Sequence, residues 1–214
     1  SKNVEGVRLL KRLHHYLPAK LGEPLQFSPH DVSLCLGGIR HMGICDKTTK
    51  ALIRTLTSGI IYSSDAQWTT ARVVCDLLCQ MGNLSMSSSD PEVCALMDAV
   101  TNKLRVALQH TNMTGRDLGQ AMRCMQHMTS EDPRAVALLS VLSDSLAIMK
   151  QQLLVGEKES DGQDDWCRGK MYGDTFYGLK NMSLSQDEVS ERILLVYLVF
   201  HNNIFCFFNF MGFF

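Results

Sequence analysis

The chain has 214 residues, is 45% hydrophobic, and carries 21 Lys+Arg against 22 Asp+Glu, a formal net charge of -1. That is ample apolar material for one large domain or a short array of repeats. Near-neutral charge excludes bulk electrostatics as the attractor of a polyanion, so any such contact has to come from local placement of basic side chains. The eight cysteines, at 35, 45, 75, 79, 94, 124, 167 and 206, include no CxxC pair. Several fall on predicted apolar helix faces, which fits free buried thiols in a reducing compartment. Cys75 and Cys79 lie one turn apart but lack the other ligands a zinc site needs, so no metal or other cofactor is expected.

Taken in order, Val4, Val7, Leu10, Leu13 and Leu17 give an amphipathic helix over about 3–17 that ends at Pro18. It stands where the second helix of a preceding copy would stand, so the array is expected to begin upstream of residue 1; no targeting signal is read at its start. Lys11, Arg12, His14 and His15 are read as a solvated outer face. A Pro/Gly loop over 18–27 follows.

The stretch from Thr114 to Leu146 shows the unit most clearly. Thr114 is placed to cap a helix with Asp117 as its reciprocal partner, and Leu118, Met122, Met125 and Met128 recur at helical spacing. Asp132-Pro133 starts a second helix, because Asp accepts from free amides and Pro fits the first turn. Val136, Leu139, Leu142 and Leu146 give that helix an apolar face. An offset of 86 puts Ser28 on Thr114, Asp31 on Asp117 and Asp46 on Asp132. An offset of 42 puts Val74, Leu78 and Met81 on Val32, Leu36 and Ile39, and an offset of 54 puts Tyr172, Phe176 and Leu179 on Leu118, Met122 and Met125. Asp90-Pro91 then matches Asp46-Lys47, and Asp90, like Asp132, is expected to cap a helix with its side chain.

Recurrence at about forty residues predicts an all-α chain, an α-solenoid of tandem helix-turn-helix repeats. One array over 1–195 is expected, with a half repeat at 3–17 and copies at about 28–60, 70–106, 114–149 and 167–195. Tyr62–Gln67 and Leu108–Met113 read as connections, and the acidic stretch Gly156–Asp165 reads as an inserted surface loop. Residues 196–214 are an atypical Phe-rich apolar tail. Three readings fit it: a membrane anchor, a cap on the open end of the array, or sequence that is not native coding sequence.

Stacking the first helices by these offsets aligns columns on the face opposite the apolar stripe. One column holds His30, Arg72, Arg116 and Lys170. Eleven residues on, on the same face, stand His41, Asn83, His127 and Asn181. Between them lie Leu34, Asp76, Gln120 and Asp174, then Gly37, Cys79, Arg123 and Tyr177. A basic ladder suits phosphates passing along stacked helices, and the amide, imidazole and aromatic groups beside it suit base edges and base faces. The competing reading is a solvated face or a protein-binding groove.

The segments Gly119-Gln120-Ala121-Met122 to Met128, and Phe176-Tyr177-Gly178-Leu179-Lys180-Asn181-Met182-Ser183, resemble the octotricopeptide-type helical repeats of organelle RNA metabolism, a family often found with an RAP domain. The resemblance covers about 3–195. It implies a helix-pair solenoid that binds mitochondrial or chloroplast transcripts and acts in their processing, stability, translation or ribosome assembly. The chain departs from that family in its Asp-Pro helix start, its near-zero net charge and the lack of an RAP domain.

No GxxxxGK[ST], GxGxxG or HExxH motif occurs, and Asp31 and Asp117 read as capping residues rather than an acid/base pair. The expectation is therefore a non-catalytic protein with no small-molecule substrate. Its partner is single-stranded RNA or, alternatively, a protein held in the same groove.

Overall fold

The computed structural model describes residues 27–40, 47–82, 84, 90–155 and 177–182. The expected helix at 3–17, the loop at 156–165, most of the fourth copy and the Phe-rich tail lie outside the described residues. The described residues form helices and turns, with no strand. In chain order these are α1 (Pro29–Arg40), α2 (Lys47–Tyr62), α3 (Ala71–Gly82), α4 (Pro91–His110), α5 (Gly115–Arg123) and α6 (Pro133–Val155). Single 3-10 turns occur at Asp65–Gln67 and Cys124–His127. No described helix is long and apolar enough to cross a membrane. The chain divides into two compact units, Ser1–Thr111 and Asn112–Phe214.

In the first unit the helices pack in alternation along the chain. α1 lies against α3, α2 against α4, and α3 also against α4. The reason is the stripe. Val32, Leu36 and Ile39 on α1 and Val74, Leu78 and Met81 on α3 are all buried, as are Leu52, Ile53, Leu56 and Ile60 on α2 and Leu96, Val100 and Leu104 on α4. Each such side chain stabilises by roughly 1.5–3 kcal/mol when removed from water.

Local sequence sets the helix starts. At α1 the Ser28 hydroxyl accepts from the Asp31 amide at 3.2 Å, and the Asp31 carboxylate accepts from the Ser28 amide at 3.2 Å. This is a reciprocal capping box. The expectation for Asp90 is corrected: it is the N-cap residue of α4, but its side chain accepts no capping hydrogen bond. The carboxylate turns instead to Lys50 Nζ, 2.8 Å away on α2. One turn along α2, Arg54 Nε donates to Glu92 at 3.0 Å. Two cations spaced i,i+4 thus meet two carboxylates at the N-terminus of α4, where the helix dipole also favours negative charge. The hydrogen bond from Lys50, followed by the contact with Glu92, holds the Asp90 carboxyl below its ordinary value.

The connection after α2 is fastened by polar groups. Lys103, although a lysine, is buried on α4; its ammonium donates to the Ser63 carbonyl at 2.9 Å and to Asp65 at 2.7 Å. It also lies 5.7 Å from the ring centroid of Trp68, which is fully buried and donates from Nε1 to the Ser63 hydroxyl at 2.6 Å. The helix α4 runs on to His110, past the expected boundary near 106, and the connection shortens accordingly. Thr111 then reaches back: its hydroxyl accepts from the amide of Ala71, the first residue of α3, at 2.9 Å.

In the second unit α5 packs on α6. Thr114 and Asp117 form the expected capping box, with the Thr114 amide 3.0 Å from the Asp117 carboxylate and the return bond at 3.3 Å. The α-helix ends at Arg123, earlier than the run of methionines suggests, and tightens into the 3-10 turn before Met128. Met125 and Met128 remain buried all the same. Asp132 accepts from the Arg134 amide at 3.0 Å, as expected of a cap. On α6 Leu139 and Leu142 are buried on the expected face, with Ala135 and Leu138 beside them, and only Val136 departs from expectation in being half-buried. Residues 177–179 are helical and lie on α5 through Gly178, where a Cβ would come within 2.6 Å of the Met122 carbonyl carbon and 3.3 Å of the Arg123 amide nitrogen. Glycine is therefore required for this backbone-on-backbone approach.

Two measurements check these contacts. Leu138 is fully buried. Leu138→Ala should therefore cost roughly 2–5 kcal/mol in chemical denaturation; a loss near zero would put Leu138 outside the core. Asp90 has a folded-state pKa below its unfolded one, so its contribution is present above about pH 4 and is lost as pH falls through the lowered value. Lys50→Met should lower stability at pH 7 by about 0.2–1 kcal/mol. The gap to the parent should close in acid; a gap that persists well below about pH 4 would mean the ion pair is not its source.

Candidate functional site

The candidate face is built from the outward sides of the first helices. In α1, α3 and α5 the basic residue of the first column falls on the second residue of its helix: His30 after Pro29, Arg72 after Ala71 and Arg116 after Gly115. All three are exposed. Neither Arg72 nor Arg116 makes an ion pair with a described residue. A cation at this position opposes the positive end of the helix dipole, an unfavourable term of about 0.3–1 kcal/mol for an arginine, so helix stability does not account for the choice. Lys170, His41 and Asn83 lie outside the described residues.

Within the first unit, packing of α1 on α3 brings His30 and Arg72 onto adjacent helices. A Cβ on Gly37 of α1 would stand 3.8 Å from Gln80 Oε1 of α3, so the two helices meet along this stretch. Leu34 is 62% exposed on this face, with Asp76 and Cys79 half-buried. Burial, then the charge of Asp31, pushes the Cys35 thiol up, so it stays protonated at neutral pH. The described cysteines at 35, 75, 79, 94 and 124 are not in disulfides, and no group of three or more potential metal ligands occurs among the described residues.

Within the second unit, two more columns come together. Gly178 seats its segment against the backbone of Met122 and Arg123, and Arg123 is half-buried. Asn181 Nδ2 donates to the Gln126 carbonyl at 2.6 Å, which places it next to the exposed His127. Gln120 is half-buried on α5. Asn181 thus spends one amide hydrogen on the fold, leaving its carbonyl and second hydrogen. Tyr177 is 48% exposed, and Lys180 Nζ lies 4.1 Å from its ring centroid.

Two residues of weight escape a reading by columns. Lys180 sits three residues after Tyr177, the spacing that brings side chains together on a helix, and that spacing was its only signal. Lys103 falls on the buried stripe of α4, at helical spacing from Leu96, Ala99 and Ala107; a lysine at a core position is the signal for a buried polar tie. No protein-family model, curated protein or solved structure matches the chain.

Proposed function

We propose that this is a non-catalytic RNA-binding protein whose first helices present one ligand-binding face of an α-solenoid. The observation that carries the reading is the repeated placement of His30, Arg72 and Arg116 on the second residue of α1, α3 and α5, exposed and against the helix dipole. Arg72 and Arg116 each add a cation to a helix end that already favours anions, which suits a phosphate backbone. In the second unit His127, Asn181, Gln120, Arg123 and Tyr177 supply hydrogen-bonding and stacking groups, and unstacked single strands are what such groups read. Side-chain bonds across the first unit support a repeating array: they span 38, 40 and 42 residues, close to the sequence offset. The octotricopeptide resemblance extends the proposal to organelle transcripts.

A protein-scaffold reading draws support from Leu34, a large apolar side chain left 62% exposed on the same face. Salt separates the two. Single-stranded RNA affinity should fall steeply with salt through counterion release, whereas an apolar peptide contact should change little.

Arg72→Ala with Arg116→Ala should weaken binding to all single-stranded RNAs and flatten the log–log salt slope by about 1.4, at about 0.7 for each phosphate that is no longer neutralised. Thermal stability should hold or rise slightly, because both changes relieve the dipole conflict. His127→Ala should instead shift preference between sequences and leave the slope unchanged. No RNA binding by the folded parent at low salt would overturn the RNA reading in favour of the scaffold.

A further inference from the structure

We infer that Tyr177 and Lys180 form a subsite for one nucleotide, in which the ring stacks a base and the ammonium meets the adjoining phosphate; this rests on the RNA reading above. The starting point is an aromatic side chain left in water. Leu179, in the apolar register, is buried, yet the nearby Tyr177 is 48% exposed. Lys180 Nζ stands 4.1 Å from the ring centroid, the distance of a cation held on a ring face. A ring has two faces, so the lysine leaves the other for a planar partner. Lys180 makes no ion pair with a described acidic residue, so its charge is available to an anion.

The pair stands on a rigid support. Gly178, between them, is pressed against the Met122 carbonyl, closer than any side chain would allow. Leu179 is buried, and Asn181 is fastened to the Gln126 carbonyl at 2.6 Å. Three anchoring positions therefore fix the backbone that carries Tyr177 and Lys180, and neither of those two side chains takes part in them. A stacking platform works when its orientation is set before the ligand arrives. The combination of an aromatic plane and an adjacent ammonium suits a nucleotide better than an acidic peptide, which offers no plane to stack.

The test is a titration of the full 214-residue chain with uridine and adenosine homo-oligomers at two salt concentrations. Tyr177→Ala should weaken binding about 5- to 150-fold, the range for loss of one stacked base, with the salt slope unchanged. Tyr177→Phe should bind like the parent. Lys180→Met should flatten the slope by about 0.7, a change that a merely structural lysine would not produce. All three should keep the parent's helical circular dichroism and melting temperature. Parent-like binding by Tyr177→Ala, or a parent-like slope in Lys180→Met, overturns the subsite while leaving the RNA reading intact. Failure of the folded parent to bind either oligomer overturns both.

Discussion

A helix that carries Val32, Leu36 and Ile39 along one side cannot leave them in water. In the first unit the cover comes from α3, which brings the matching residues Val74, Leu78 and Met81. The same holds one layer over, where α2 lies on α4. Packing of α1 on α3 and of α2 on α4 follows from the demand that each apolar stripe be buried by another. The outward face is then whatever remains, and that is where His30 and Arg72 are displayed.

Apolar burial is non-directional, so it does not by itself fix one copy against the next. Polar ties do that. Lys50 reaches Asp90, Arg54 reaches Glu92, Lys103 reaches Ser63 and Asp65, and Thr111 reaches Thr69 and Ala71. The exposed pairs contribute little energy. Lys103 is different: its charge is out of water, and the carbonyl, carboxylate and Trp68 ring around it replace the lost hydration. Such a tie specifies register, because a slip of one residue would leave the ammonium buried without partners.

In the second unit the contact at Gly178 plays the corresponding part. The missing side chain lets the segment approach α5 closely enough for Asn181 to hydrogen-bond the Gln126 carbonyl. One glycine thereby sets the neighbourhood of Arg123, His127, Tyr177 and Lys180. The polar groups on the candidate face are of two kinds. His127 and Arg116 only project, whereas Asn181 also helps to hold the fold.

The sequence by itself determined the helical class, the caps at Ser28, Thr114 and Asp132, and nearly all of the core, because each depends on spacing within a few residues. Period 3.6 marks Val32, Leu36 and Ile39, and a Ser or Thr three residues before Asp marks a helix start. It also determined that basic residues recur at one position of the first helices. Only the tertiary structure decided where Asp90 points. Local rules make it a cap, but Lys50, forty positions earlier, offers its carboxylate a stronger, charged partner. The structure likewise decided that Val136 stays half-buried, since it shares an apolar face with the buried Leu139 and only the neighbouring residues in space distinguish them. The burial of Lys103, the fastening of Trp68 and the pairing of Lys180 with Tyr177 were decided in the same way. Each of these is a choice among partners, and the partners are assembled in space rather than along the chain.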